Sequence, residues 1–350
     1  MKRLAACKGT NPLPDGVGES LLIGPVLPDR NRPDNQACNP ALSVRDPKRH
    51  PETLATTLKP IRDHNEVSRT RTAIVTGGSS GLGLVIAAEL LAAGYRVVIL
   101  GRDRQRIDSA RVQIMDRSRH RRSSEVHESS LLSRTVDVTD EEAVRSCFEE
   151  LESAVGVIDV LVNCVGRSDR GRTENLTPDR LRALIDVNVT SALLCSQAAL
   201  PMLKRSHGVV VNIGSLAGRF GTRYMGGYCA AKHALAGLTQ QMRLEWLEYG
   251  IHVGLVSPGP ILREEATPRY ETGGESLPES ASRPAGGAAI SGLDPLRVAR
   301  AVISCIERRE PDRVLPPKAR LLAILTQAFP RLGERVLIRF TGGNARTDEA

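Results

Sequence analysis

From Arg71 onward the apolar positions fall into two alternating kinds of segment. Short, continuously apolar runs begin at Thr72 (TAIVTG), Tyr95 (YRVVILGR), Ser133 (SRTVDVTD), Ile158 (IDVLVNCVG), Gly208 (GVVVNIGS) and Ile251 (IHVGLVSPG), and they read as buried strands. Between them stand longer segments with helical spacing: 81–94, closed by Gly94; 141–156; 177–204; and 228–250. A further helix is predicted over 293–310, and the apolar end 319–340 reads as two short helical pieces interrupted by Pro330 and Gly333. Strands that are apolar throughout, rather than alternating, belong in a parallel sheet covered on both faces. The pattern therefore predicts an α/β fold, a doubly wound parallel sheet of Rossmann type, forming a single domain over 69–312.

The flanks behave differently. Residues 1–68 hold nine of the 21 prolines and show no sustained periodicity, so they read as a disordered or loosely packed extension. The opening MKRLAACKG is too short and broken an apolar run for a signal peptide. Residues 264–293 are rich in Gly, Pro, Ser and Glu and read as a long substrate loop or lid. Residues 313–350 form an apolar and basic C-terminal helical extension.

Composition narrows the function classes. The net charge of +8 is partly local, with Arg117, Arg119, Arg121 and Arg122 clustered in the connection before the third strand. That cluster lacks interleaved aromatics, and there is no zinc-finger or RNP motif, so nucleic acid is not an expected partner. The seven cysteines form no CxxC pair and the seven histidines no HExxH, which argues against a metal site. Scattered cysteines fit small apolar fillers in a reducing, cytoplasmic setting.

The first strand runs into Thr76-Gly77-Gly78-Ser79-Ser80-Gly81-Leu82-Gly83, and a helix follows. Glycines there permit a tight turn and close approach of backbone to a pyrophosphate, and the helix N-terminus presents N–H groups and a positive dipole end to it. The second strand ends in Gly101-Arg102. An acid at that place would suit the free ribose hydroxyl of NAD; an arginine suits the 2′-phosphate of NADP. Arg102, helped by Ser79, therefore favours NADP(H) over NAD(H), with Asp103 as the counterargument.

Tyr228 and Lys232 are four apart on a predicted helix, so phenol and ammonium share a face. A neighbouring cation lowers the phenol's ordinary pKa of about 10 and suits it to proton transfer. Ser215 ends an apolar strand, on the rim where open α/β sheets bind ligands, and its hydroxyl can polarise a substrate oxygen. Asn188 interrupts an apolar helix in which asparagine is a poor former, which suggests a kink, a bound water or a satisfied buried amide.

With these residues in order, the chain resembles the short-chain dehydrogenase/reductase family. The matching positions are 76–83, Asp137 in VDVTD, NCVG at 163–166, Asn188, Ser215, YCAAK at 228–232 and Pro258-Gly259. The resemblance is strong over 71–262 and does not cover 1–68. It implies a catalytic tetrad of Asn188, Ser215, Tyr228 and Lys232, with Lys232 also on the nicotinamide ribose. It implies cofactor contacts from Asp137 and Val138 at the adenine, from Asn163 and Gly166 beside the adenosine half, and from Pro258, Gly259 and Ile261 near the nicotinamide. Arg263 stands where the family pattern commonly has threonine. The implied reaction is hydride transfer between NADP(H) and a carbonyl or secondary alcohol; the alternative is a non-catalytic NADP(H) sensor or scaffold on the same fold. The family also implies a homo-oligomer. The C-terminal segment is similar to that of branches acting on bulky, lipid-like substrates, so its arginine-studded apolar surface is a candidate for peripheral membrane contact, beside packing on the core or on a second subunit.

Overall fold

The computed structural model describes residues 69–121, 126–262, 277, 281 and 292–340. The extension 1–68, Arg122, Arg263 and nearly all of 264–293 lie outside the described residues. Seven strands form one parallel sheet: β1 (Thr72–Thr76), β2 (Arg96–Gly101), β3 (Leu131–Thr135), β4 (Val160–Asn163), β5 (Val209–Ile213), β6 (His252–Pro258) and β7 (Asp312–Leu315). Their spatial order is β3-β2-β1-β4-β5-β6-β7. The chain thus winds outward one way from β1 and returns through β4 to wind the other way. The β1/β4 junction is the switch point, where ligands bind at the carboxyl ends of strands.

The continuous apolar runs are explained by burial on both faces. Ala73 and Val75 of β1 join one core with Val97, Ile99, Val160 and Val162, beneath α1 (Gly81–Ala92), α2 (Arg104–Arg119) and α7 (Pro295–Arg308). Ile74 points the other way and joins Val98, Leu100, Leu161, Val210 and Val253, beneath α3 (Glu141–Val155), α5 (Ser191–Ser206) and α6 (Tyr228–Glu245). Side chains alternate across the pleat, so both sets must be apolar. The segment Pro178–Ser206 is long and apolar enough to cross a membrane. Its residues Cys195, Ala199, Met202 and Leu203, however, are buried in the second core.

Three elements differ from expectation. The third strand is Leu131–Thr135, not 133–140, because its last rung pairs Thr135 with Gly101, where β2 ends. Beyond it the Asp137 carboxylate accepts from the N–H and hydroxyl of Thr139 and turns the chain out of the sheet. The helix expected over 177–204 is divided into α4 (Pro178–Ile185), a π turn (Asp186–Thr190) and α5. The edge strand β7 carries no sequence pattern of its own, being four residues that begin Asp-Arg.

The C-terminal end does form two helices, α8 (Lys318–Ala328) and α9 (Pro330–Phe340), with the break at Phe329 and Pro330 opening the second. Gly333 lies inside α9, where it lets the two helices touch: a Cβ there would fall 2.5 Å from the Thr326 Cα. Ala323 is buried, while Leu321, Ile324, Phe329 and Leu332 stay exposed.

Candidate active site

The turn after β1 is shaped by backbone contact. A Cβ on Gly83 would overlap the Gly77 carbonyl, so the helix can begin this close to the turn only without a side chain. Gly81 has φ of +52°. Ser80 caps α1 but offers no side-chain hydrogen bond to it, and Leu82 packs against the first core. Thr76 is buried, and its Oγ1 accepts from the N–H groups of Cys164 at 3.0 Å and Val165 at 3.4 Å, which ties the turn to the end of β4.

At the end of β2, a Cβ on Gly101 would fall 2.8 Å from Ser79 Oγ, so this hydroxyl lies over the strand end beside Arg102. Arg102 is exposed. Asp103 is occupied as the N-cap of α2: its carboxylate accepts from the Arg106 N–H at 3.1 Å and pairs with the Arg106 guanidinium at 3.4 Å. Asp137 sits exposed on the same rim. The Thr139 hydrogen bonds, and next the Arg102 charge, hold its carboxyl below the usual range. Val138 beside it is buried in the second core.

Asn163 is placed differently from a ligand-facing residue. Its side chain turns into the interior, where Nδ2 donates to Ser196 Oγ and Asn212 Oδ1, both at 2.9 Å. Asn212 in turn donates to Thr239 Oγ1 at 2.9 Å. This polar chain joins β4, β5, α5 and α6 beneath the site. Gly166 remains at the surface, and Asn188 and Lys232 meet beside it. A Cβ on Gly166 would fall 2.8 Å from Asn188 Oδ1 and 3.2 Å from Lys232 Nζ.

Asn188 is 1% exposed and lies in the π turn. Its Nδ2 donates to the carbonyls of Leu184 and Arg167, each at 2.9 Å, and its Oδ1 accepts from the Arg167 N–H at 3.3 Å. The satisfied buried amide is thus the form this residue takes, and the π turn is the kink. Single π turns inside helices recur at functional sites because they re-aim one side chain.

Lys232 is 4% exposed. Its Nζ donates to the Ile213 carbonyl at 3.0 Å and lies 5.9 Å from the centroid of the Tyr228 ring. Burial pushes the amine down to about 8, against a small opposing influence from Cys164. Ser215 follows β5, and its Oγ accepts from the Ala217 N–H at 3.2 Å. The turn it opens packs onto α6 without a gap: a Cβ on Gly218 would fall 2.5 Å from the Lys232 carbonyl oxygen. Pro258 ends β6, Gly259 donates to the Leu315 carbonyl at 2.7 Å, and Ile261 bridges Leu293.

The site thus has a bare-backbone turn opening onto the switch point, a glycine-walled gap at Gly166, and a phenol–ammonium pair beside it. That donor set fits a dinucleotide, with phosphates at the helix N-terminus. Among the described residues no group of His, Cys, Asp and Glu could hold a metal ion.

Residues 71–272 match the short chain dehydrogenase family, and the chain belongs to it as an oxidoreductase. It is 35% identical over 192 residues to an uncharacterized oxidoreductase of Staphylococcus saprophyticus, covering 55% of this chain and 78% of that protein. It is 29% identical over 266 residues to dehydrogenase/reductase SDR family member 7B of Danio rerio, covering 75% of this chain and 83% of that one. Among solved structures, a short-chain dehydrogenase from Streptomyces avermitilis superposes with a TM-score of 0.63 at 25% identity, covering 78% of this chain and 97% of that one.

Sequence reading missed the stretch Arg167–Arg172. Arg170 is 1% exposed and Asp169 is buried beside it, yet charged residues are almost never fully buried unless paired. The only available sign was the density of charge, RSDRGR, immediately after a buried strand.

Proposed function

We propose that this protein is an NADP(H)-dependent oxidoreductase that interconverts carbonyl compounds and secondary alcohols. The observation that carries the reading is the convergence of Asn188 Oδ1 and Lys232 Nζ on Gly166, with the Tyr228 ring beside the ammonium. Thr76, Gly77, Ser79, Ser80, Gly81, Leu82 and Gly83 form the phosphate turn. Arg102 and Ser79 hold the 2′-phosphate, and the engagement of Asp103 as a helix cap supports NADP over NAD. When bound, the nicotinamide supplies hydride to the substrate carbon or takes it up.

The remaining steps belong to the chain. Tyr228 gives its phenolic proton to the carbonyl oxygen in reduction and takes one from the alcohol in oxidation. Lys232 lowers the cost of the phenolate by its charge and binds the nicotinamide ribose. Ser215 donates its hydroxyl to the substrate oxygen. Asn188 fixes the chain at Arg167 and holds water for proton exchange.

The test is NADPH oxidation on a panel of hydrophobic ketones, with NADP+ reduction on the matching alcohols. Tyr228→Phe is expected to lower kcat/KM by about 10²- to 10⁴-fold with NADPH affinity retained. Full activity in that variant would sink the mechanism. Tight NADPH binding with no turnover by the unaltered protein would favour the sensor or scaffold reading.

A further inference from the structure

Tyr228 is the first residue of α6, and the turn leading into it is strained. Tyr224 has φ of +59°, a left-handed conformation that a residue with a Cβ adopts at a cost of about 1–2 kcal/mol. Such strain persists only where the surroundings over-determine it. Arg223 Nη2 donates to the Tyr224 hydroxyl at 2.9 Å and α4 leucines crowd Gly227, but the backbone of the turn is bonded by one short stretch, Arg167–Arg172. Gly171 donates its N–H to the Tyr224 carbonyl and accepts from the Gly226 N–H, each at 3.2 Å. The Arg172 guanidinium lies 5.4 Å from the Tyr224 ring centroid.

The same stretch carries buried charge. Asp169 is 6% exposed and accepts from Arg180 Nη2 of α4 at 2.6 Å. Its other oxygen has no hydrogen-bond partner among the described residues, and it abuts Gly226, where a Cβ would fall 2.6 Å away. Arg180 also donates to the Arg170 carbonyl. Arg170 donates from Nε to the Ala281 carbonyl at 3.0 Å and from Nη1 to the Asp169 carbonyl at 2.7 Å. At its near end, Arg167 is bound on both backbone groups by Asn188.

We propose that the Asp169–Arg180 pair, with Arg170, is a buried brace that positions Tyr228 against Lys232 by holding the 224–227 turn. These are positioning residues: they act through the turn and through Gly226, not on substrate. A buried ion pair is poor evidence of net stabilisation, because desolvation offsets most of the attraction. Its retention next to a strained turn makes sense if the gain is geometric. The same brace ties the chain at Ala281 to the stretch that holds the 224–227 turn.

The inference rests on Tyr228 being the proton-transfer group, so its test has one readout that needs no turnover. Phenolate absorbance is titrated in the whole protein and in Tyr228→Phe, and the difference isolates Tyr228 among the five tyrosines. Arg180→Ala is expected to move this titration to higher pH, because the phenol withdraws from the Lys232 cation. It is also expected to lower kcat/KM by about 10- to 100-fold, mainly through kcat, with NADPH affinity changed less than about twofold. Arg180→Lys should recover part of both. Asp169→Asn is isosteric and should reproduce the shift should Arg180→Ala fail to fold. An unmoved Tyr228 titration in both Arg180→Ala and Asp169→Asn would overturn the brace, whatever happened to melting temperature. Absence of turnover in every form, with the titration shift present, would overturn the proposed reaction and leave the brace standing.

Discussion

The turn between β1 and α1 and the turn that leads into α6 deliver their groups to the same rim of one sheet, but they are held by opposite means. The first is local. Gly77 to Gly83 make it mainly from backbone contact and glycine conformation, within seven consecutive residues that also announce it in the sequence, with ties to the ends of β2 and β4. The second is assembled from a distance. Gly171 bonds to Tyr224 and Gly226 of the 224–227 turn, and the stretch Arg167–Arg172 is itself held by Arg180, Asn188 and Ala281 through contacts that span from ten to more than one hundred residues. A turn of the first kind tolerates changes elsewhere but no added atom where backbone meets backbone, as at Gly83. A turn of the second kind tolerates small local changes and fails when a remote partner is lost.

The largest effect should come from adding one carbon to the local turn. In Gly83→Ala the new Cβ overlaps a main-chain carbonyl, which cannot rotate away as a side chain could. Overpacking against backbone is expected to destabilise by about 3 kcal/mol or more. NADPH binding should be lost with it, read by fluorescence titration on protein that is still folded at low temperature. Retained affinity would mean that α1 can shift, and that the turn is less local than its contacts suggest.

The next effect has the opposite sign on stability. Lys232 is held near 8 in the folded protein, against an ordinary 10.5. A group bound less tightly to its proton when folded penalises folding wherever the unfolded chain is protonated. The penalty is about 3 kcal/mol below pH 8 and is relieved as pH rises from 8 toward 10.5. Lys232→Met removes it and forfeits one hydrogen bond to Ile213. The variant is expected to be more stable by about 1–3 kcal/mol at pH 7 and to lose turnover. The stability gap should close between pH 8 and 10.5 in denaturant titrations. A gap that widened with pH would contradict the buried, depressed ammonium.

Arg102→Asp tests the outer edge of the local turn. An exposed arginine on a doubly charged phosphate contributes about 1.5–3 kcal/mol through charge-assisted bonds. The NADPH-to-NADH ratio of kcat/KM should therefore fall by about 10- to 100-fold. An unchanged ratio would move the phosphate site off β2.

These contrasts also explain what could be read beforehand. The strands, the helices that cover them, the phosphate turn and the spacing of Tyr228 and Lys232 are short-range patterns, and periodicity reports short-range order. β3 was misplaced because VDVT continues the apolar pattern past Gly101, where its partner strand has already ended. β7 was missed because four residues at a sheet edge need no pattern. Asn163 matched a family position, yet its amide serves the buried chain through Asn212 to Thr239, which no linear spacing reveals. Arg170 drew no reading of its own, because an arginine is usually ordinary surface charge.

Gly81 and Gly83 stand two apart in the same motif, yet the structure gives them different reasons to be glycine. At Gly81 an added Cβ would meet nothing within 4 Å, so space is not the constraint. Its φ of +52° is, since a residue with a side chain pays about 1 kcal/mol to sit there. Gly81→Ala is therefore expected to lower stability by about 1 kcal/mol and leave NADPH affinity within a few-fold, because no backbone N–H is displaced. Gly81→Asn should lose less, as asparagine tolerates the left-handed region better. Equal damage from Gly81→Ala and Gly83→Ala would show that the motif needs flexibility throughout. The predicted threefold or larger difference in free energy would show that it needs room at one position and handedness at the other.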